Sequence, residues 1–102
     1  MSGPRFHPAV APELADAVLW FEERSHRVAA RFRDEFDDHV ARIVATPGLG
    51  HPCGRFRRVN LKRYPYHVLY AVSATDEVWV LVLRHDARHP DYGMARTIPE
   101  ES

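Results

Sequence analysis

Two apolar runs near the C-terminal end limit what this chain can become. In residues 66–72, Tyr66, Val68, Tyr70 and Val72 alternate with His67, Leu69 and Ala71. In residues 77–84, Val78, Val80 and Val82 alternate with Trp79, Leu81 and Leu83. A period of two places successive side chains on opposite faces of a strand. The second run is apolar on both faces, whereas an antiparallel sheet with one wet face alternates apolar with polar. Its strand therefore needs cover on two sides. The polar residues 73–76 between the runs make a turn, so the two strands pair as a hairpin.

Upstream the period is helical. Pro12 followed by Glu13 suits a first turn, with the acid near the positive end of the helix dipole. Leu14, Val18 and Phe21 recur at helical spacing, giving a first helix to about Glu23. Ser25 is a candidate N-cap for a second helix with the stripe Val28, Phe32, Phe36, Val40 and Ile43, stopped at Thr46-Pro47-Gly48. A linker of one or two residues makes the pair a helical hairpin. Residues 5–7 read as a short first strand closed by Pro8. Residues 48–54 read as a loop and residues 56–62 as a further strand. The plan is β-α-α-β-β-β, an α+β layer with a helical hairpin on a small, mainly antiparallel sheet. One hairpin covers one face. The other face is expected to be sealed by another chain, with the N-terminal arm and C-terminal tail as the alternative cover.

The 102 residues are expected to form a single domain, and 45% hydrophobic with 27% charged composition is ordinary globular material. No apolar run approaches the roughly 20 residues of a membrane span, and no secretion signal is read at the start. Cys53, the one cysteine, excludes an internal disulfide and suits a reducing cytosol. It lacks a third group to orient it as a nucleophile. The formal net charge of +0 conceals an acidic first helical region and a middle, residues 47–75, that holds Arg55, Arg57, Arg58, Lys62 and Arg63 without an acid. That basic segment suits a polyanionic or acidic partner, or a solvated face.

The second apolar strand ends in RHDARHPDY, residues 84–92. Dense titratable groups at a strand end more often make a site than a core. His85 and His89 have an H-x-x-x-H spacing, but no glutamate lies between them and Pro90 opposes a helix, so no metal is expected. No cofactor motif is present.

The segments LWFEERS (residues 19–25), ARFRDEFDDHVARIVATPGLG (30–50), RVNLKRYPYHVLYAV (58–72) and VWVLVLRHDARHPDY (78–92) occur together in one order. In these the chain resembles the RelE/ParE toxin superfamily of type II toxin–antitoxin systems, particularly its ParE-like plasmid stabilisation members. The resemblance implies a cytoplasmic growth-inhibiting toxin neutralised by a cognate antitoxin. It implies DNA gyrase as target for a ParE-like member, or messenger RNA on the ribosome for a RelE-like endoribonuclease. A non-toxic protein-binding module of the same fold is a third reading. For the metal-free nuclease, the resemblance places Lys62, Arg88 and Tyr92 at the family's cleaving positions, with His67 and His85 as further proton carriers. His67 stands where many relatives carry arginine, and Lys62 is the sole lysine. Both departures favour gyrase. Arg58, Arg63, Arg84, Trp20 and Trp79 are the candidate target- or partner-binding residues.

Overall fold

The computed structural model describes residues 3–99. Its elements in chain order are β1 (Arg5–Phe6), α1 (Val10–Glu22), α2 (His26–Ala45), β2 (His51–Cys53), β3 (Phe56–Asn60), β4 (Tyr66–Val72) and β5 (Val78–His85). Two helices pack on a five-stranded mixed sheet in the order β1-β5-β4-β3-β2, an α+β fold. β1 runs parallel to β5, and the remaining neighbours are antiparallel.

The helices form for the reasons legible in the chain. Ser25 caps α2, its hydroxyl accepting from the Val28 N–H at 3.3 Å. Phe32, Phe36, Val40 and Ile43 turn one face of α2 into the core. The linker is residues 23–25, slightly longer than expected, and the helices fold back with Phe21 on Phe32 at 4.9 Å between ring centroids.

The segment read as a loop contains β2. Pro52 is tolerated there because β2 is an edge strand whose outer side needs no donor. Gly50 permits the close approach behind it: a Cβ would lie 2.9 Å from the Tyr70 ring, whose hydroxyl donates to Pro47 O at 2.7 Å. The Gly50 N–H in turn donates to the same hydroxyl at 2.9 Å.

The faces of β5 differ from strict alternation. Leu69 pairs with Val82 and Tyr70 with Val80, so Leu81 is an extra residue, a β-bulge. The bulge reverses the faces of the residues beyond it. Val78, Val80 and Leu83 pack under the helices, while Trp79, Leu81 and Val82 pack on the other side. Val82 and Leu83 thus exchange the faces expected from the period of two.

The chain covers that other side itself. Tyr92, Met94 and Ile98 of the C-terminal tail lie against Phe56, Leu69, Trp79, Leu81 and Val82. Leu81 and Val82 are 0% exposed and Trp79 is 6%. The expected foreign cover is therefore unnecessary, because the tail supplies the third layer. Gly93, at φ +79°, lets the tail touch the sheet; a Cβ there would come 2.6 Å from Val82 Cγ2.

One carboxylate fastens the layers. Glu13 of α1 accepts from Arg96 at 2.6 and 3.0 Å, from the Tyr92 hydroxyl at 2.6 Å and from the Leu83 N–H at 3.1 Å. Arg96 also donates to Leu81 O at 2.7 Å, which ties the bulge to the tail. Glu13 and Arg96 side chains are only 11% and 14% exposed. Removing one partner of such a pair leaves a buried charge unmatched. Arg96→Ala is expected to cost about 2–4 kcal/mol in denaturant unfolding. It should also shift Trp79 emission to the red while Trp20, already 49% exposed, contributes little change. Unchanged stability and emission would show that the tail is held by its apolar contacts alone.

Candidate functional site

The ends of β4 and β5 carry a buried polar chain. His67, 1% exposed, has both ring nitrogens engaged. Arg84 Nε donates to His67 Nε2 at 2.8 Å, so Nε2 is an acceptor and the proton sits on Nδ1. That Nδ1–H donates to Asp86 Oδ1 at 2.7 Å. Asp86 also faces Arg58 of β3, with Nη2 at 3.6 Å. Arg84 is 5% exposed, and its Nη1 donates to Pro90 O at 2.7 Å and Tyr92 O at 3.0 Å. The Arg84 guanidinium therefore shapes the loop after β5 from inside. Burial holds the His67 pKa below its ordinary value; Asp86 works to raise it, and Arg58 and Arg84 work to lower it.

That loop lines a cleft of about 300 Å³ with Glu13, Asp16, Trp20, Tyr66, His85, Arg88 and Tyr92. Arg88 lies over the Tyr92 ring, 4.0 Å from its centroid. Tyr66 stands edge-on to His85 at 5.0 Å, and His85 Nδ1 accepts from the Ala87 N–H at 2.9 Å, leaving the proton on Nε2. Burial raises the Tyr66 pKa. Next to this cleft Trp20, Phe21, Pro65, Tyr66 and His85 line an apolar one of about 310 Å³. Trp20 is capped by Arg24, 3.4 Å from the ring centroid. The two clefts share Trp20, Tyr66 and His85, giving one trough between α1 and the strand ends with a cationic and an apolar part.

The candidate residues do not gather in one place. Arg84, His85, Arg88, Tyr92 and Trp20 line the trough. His67 does not line it and is tied instead to Arg84 and Asp86. Lys62 and Arg63 line a different cleft with Asp34, Glu35 and Asp38 of α2. Their backbone N–H groups donate to Glu35 Oε2 at 2.5 and 3.2 Å. Arg58 lies on β3 beside Asp86, and Trp79 is under the tail. The Tyr92 hydroxyl is bound to Glu13. Among the described residues no group of three or more His, Cys, Asp or Glu is placed to hold a metal ion.

Sequence pattern marks Glu13 only as a helix-start acid and gives no role to Asp86, Arg96 or His39. Asp86 sits inside RHDARHPDY and carries that signal. Arg96 carries none, since its partner is 83 positions away.

The linkage of His67 has a definite sign. Its folded pKa is lowered from 6.5, so the unfolded chain binds the proton more readily. Its contribution to stability is complete above 6.5 and is lost as pH falls through the folded value. His7, lowered by burial and then by Arg96 against Glu13, acts in the same direction. The unfolding midpoint is expected to fall below pH 6.5. His67→Gln, which keeps an acceptor for Arg84 and a donor for Asp86, should flatten that decline while retaining most neutral-pH stability. An unaltered slope in this variant would remove His67 as a source.

Among the described residues no helix is long and apolar enough to cross a membrane. No curated protein matches the chain. Residues 5–90, from the first strand through the loop that carries Arg88, are matched by the family model described as the ParE toxin of type II toxin-antitoxin system, parDE. That span takes in both helices, all five strands and most of the trough, and the chain belongs to this family of toxins.

Proposed function

We propose that this chain acts in the cytoplasm as a toxin on DNA gyrase, and that a cognate antitoxin neutralises it. Family membership supplies the toxin and implies an antitoxin partner. The observation that supports gyrase over RNA cleavage is the dispersal of the acid–base groups. Lys62 lines a cleft apart from Arg88, His85 and Tyr92. Both His67 nitrogens are engaged, and the Tyr92 hydroxyl is committed to Glu13. Cleavage without a metal needs a base at the 2′-hydroxyl, a cation at the phosphorane and an acid at the leaving oxygen within reach of one another. Binding a protein target needs only a shaped, charged rim, and Arg88, His85 and Tyr66 offer one.

Trp20 on α1, 49% exposed, lines the apolar part of the trough, its chain neighbour Leu19 is 59% exposed, and the pair suits antitoxin contact. An aromatic anchor at the centre of an interface carries a large share of its energy. Trp20→Ala is expected to weaken the antitoxin complex by about thirtyfold in calorimetry, the equivalent of roughly 2 kcal/mol for a hot-spot residue.

The same chain should arrest growth when expressed alone, induce the DNA-damage response and inhibit supercoiling by purified gyrase. Arg88→Ala, folded by circular dichroism, should lose most of that inhibition. Cleaved transcripts in a translating extract without gyrase inhibition would establish the ribosome-dependent endoribonuclease, the reading that His85 and Arg88 in one cleft favour. Normal growth under confirmed expression would leave a non-toxic binding module.

A further inference from the structure

The loop that presents Arg88 is pinned at both ends through one buried imidazole. Asp86 opens the loop, its N–H donating to Pro65 O at 2.8 Å and its Oδ1 accepting from His67 Nδ1–H at 2.7 Å. Pro90 and Tyr92 close it, their carbonyls accepting from Arg84 Nη1 at 2.7 and 3.0 Å. Arg84 Nε in turn donates to His67 Nε2 at 2.8 Å. One ring therefore reaches both anchors, and Arg88 stands between them. Tyr92 has a second fastening through its hydroxyl on Glu13, so the stretch governed from His67 is residues 87–91. The bonds within that stretch, from Ala87 N–H to His85 Nδ1 and from Asp91 N–H to His89 Nδ1, join near neighbours and do not tie the loop to β4.

The bond between His67 and Arg84 exists in one protonation state only. A guanidinium can only donate, so Nε2 must offer its lone pair. A proton on Nε2 would set two donors against each other at 2.8 Å and add a like charge. The charged groups that act on the ring come from three sides, Arg58 of β3, Arg84 of β5 and Asp86 of the loop. Two guanidiniums and one carboxylate already leave one positive charge in excess, and the proton makes it two. His67 and Arg84 are 1% and 5% exposed, so water screens that repulsion poorly. Asp86 keeps the Nδ1–H in either state, which makes the Arg84 bond the one that breaks. Burial holds the ring neutral near neutral pH by lowering its pKa below 6.5, although Asp86 works to raise it. An arginine at position 67 would offer no acceptor, so this clamp needs a neutral ring.

We infer that His67 is a positioning residue for Arg88, and that a proton on its Nε2 frees Arg84, loosens residues 87–91 and weakens binding at the trough. The part Arg88 plays in binding rests on the proposed action on gyrase; the hold of His67 on the loop does not. A loosened loop must be ordered again when a target docks, and that cost falls on affinity.

The test is a nuclear magnetic resonance titration of the purified full-length chain, labelled with nitrogen-15, from about pH 7.5 to about pH 5. Ring nitrogen shifts of His67, His85 and His89 give three separate titrations. Backbone amides of residues 87–91 report the loop, and those of Phe32 and Ile43 report the core. The loop amides should move with the His67 midpoint, below 6.5, while the core amides stay in place. His67→Gln keeps an acceptor for Arg84 and a donor for Asp86 but cannot titrate, and should hold the loop in its neutral-pH form throughout. His89→Gln, at a side chain 74% exposed, should leave the response of the loop to His67 intact. Loop amides that follow His85 or His89, or that move only when the core does, would overturn the inference. So would a loop that ignores the His67 titration, a His67 ring that stays neutral until the core unfolds, or the same loop response in His67→Gln. Binding to purified gyrase is then read at each pH as the ratio of wild type to His67→Gln, which cancels the enzyme's own titration. That ratio should fall about tenfold across the His67 midpoint, the order of one charge-assisted hydrogen bond. A flat ratio with a titrating loop would remove the positioning role. A loop that follows His67 in a chain that binds no gyrase at any pH would support the clamp and sink the gyrase reading.

Discussion

A single carboxylate holds three layers of this molecule in register. Glu13 belongs to α1, accepts from the backbone of β5 and receives Arg96 and Tyr92 from the tail. Its surroundings are largely buried, so its charge is matched by a guanidinium and its lone pairs are taken up. Without it the tail would rest on apolar contact alone, and the two-sided burial of β5 would lose its polar fastening. The same contact commits the Tyr92 hydroxyl, which bears directly on what the trough can do chemically.

The bulge at Leu81 depends on that fastening and supports it in return. The extra residue directs both Leu81 and Val82 toward the tail, while Arg96 occupies the Leu81 carbonyl. Leu83 then faces the helices and Arg84 the opposite side. Arg84 consequently meets His67 instead of the helix core, and from there supports the loop that presents Arg88. One inserted residue therefore connects the packing of the sheet to the shape of the trough.

Much of this architecture is legible in the chain. Both helices, the Ser25 cap and the β4–β5 hairpin follow from periodicity and capping chemistry, which are local. β2 escapes such a reading because three residues containing a proline carry too little pattern for an edge strand. The tail does not stand out as the cover because its apolar residues, Tyr92, Met94 and Ile98, are spaced irregularly among polar ones. Of the site, the strand end RHDARHPDY is legible as chemically dense, and it does border the principal trough. Its division into a buried group, His67 with Arg84, and an open one, His85 with Arg88, is not, since it turns on which face each residue takes.

Local pattern was enough to specify the helices, the paired strands, the two-faced apolar strand that demanded two covers, and the family whose pattern residues 5–90 match. These rest on interactions between near neighbours or on periods repeated along the chain. Only the folded arrangement settles what covers the second face and where Lys62 stands relative to Arg88. Those outcomes depend on pairs such as Glu13 and Arg96, 83 positions apart, and on a one-residue shift in register. Spacing along the chain carries no trace of a contact whose partners are brought together only when the sheet closes.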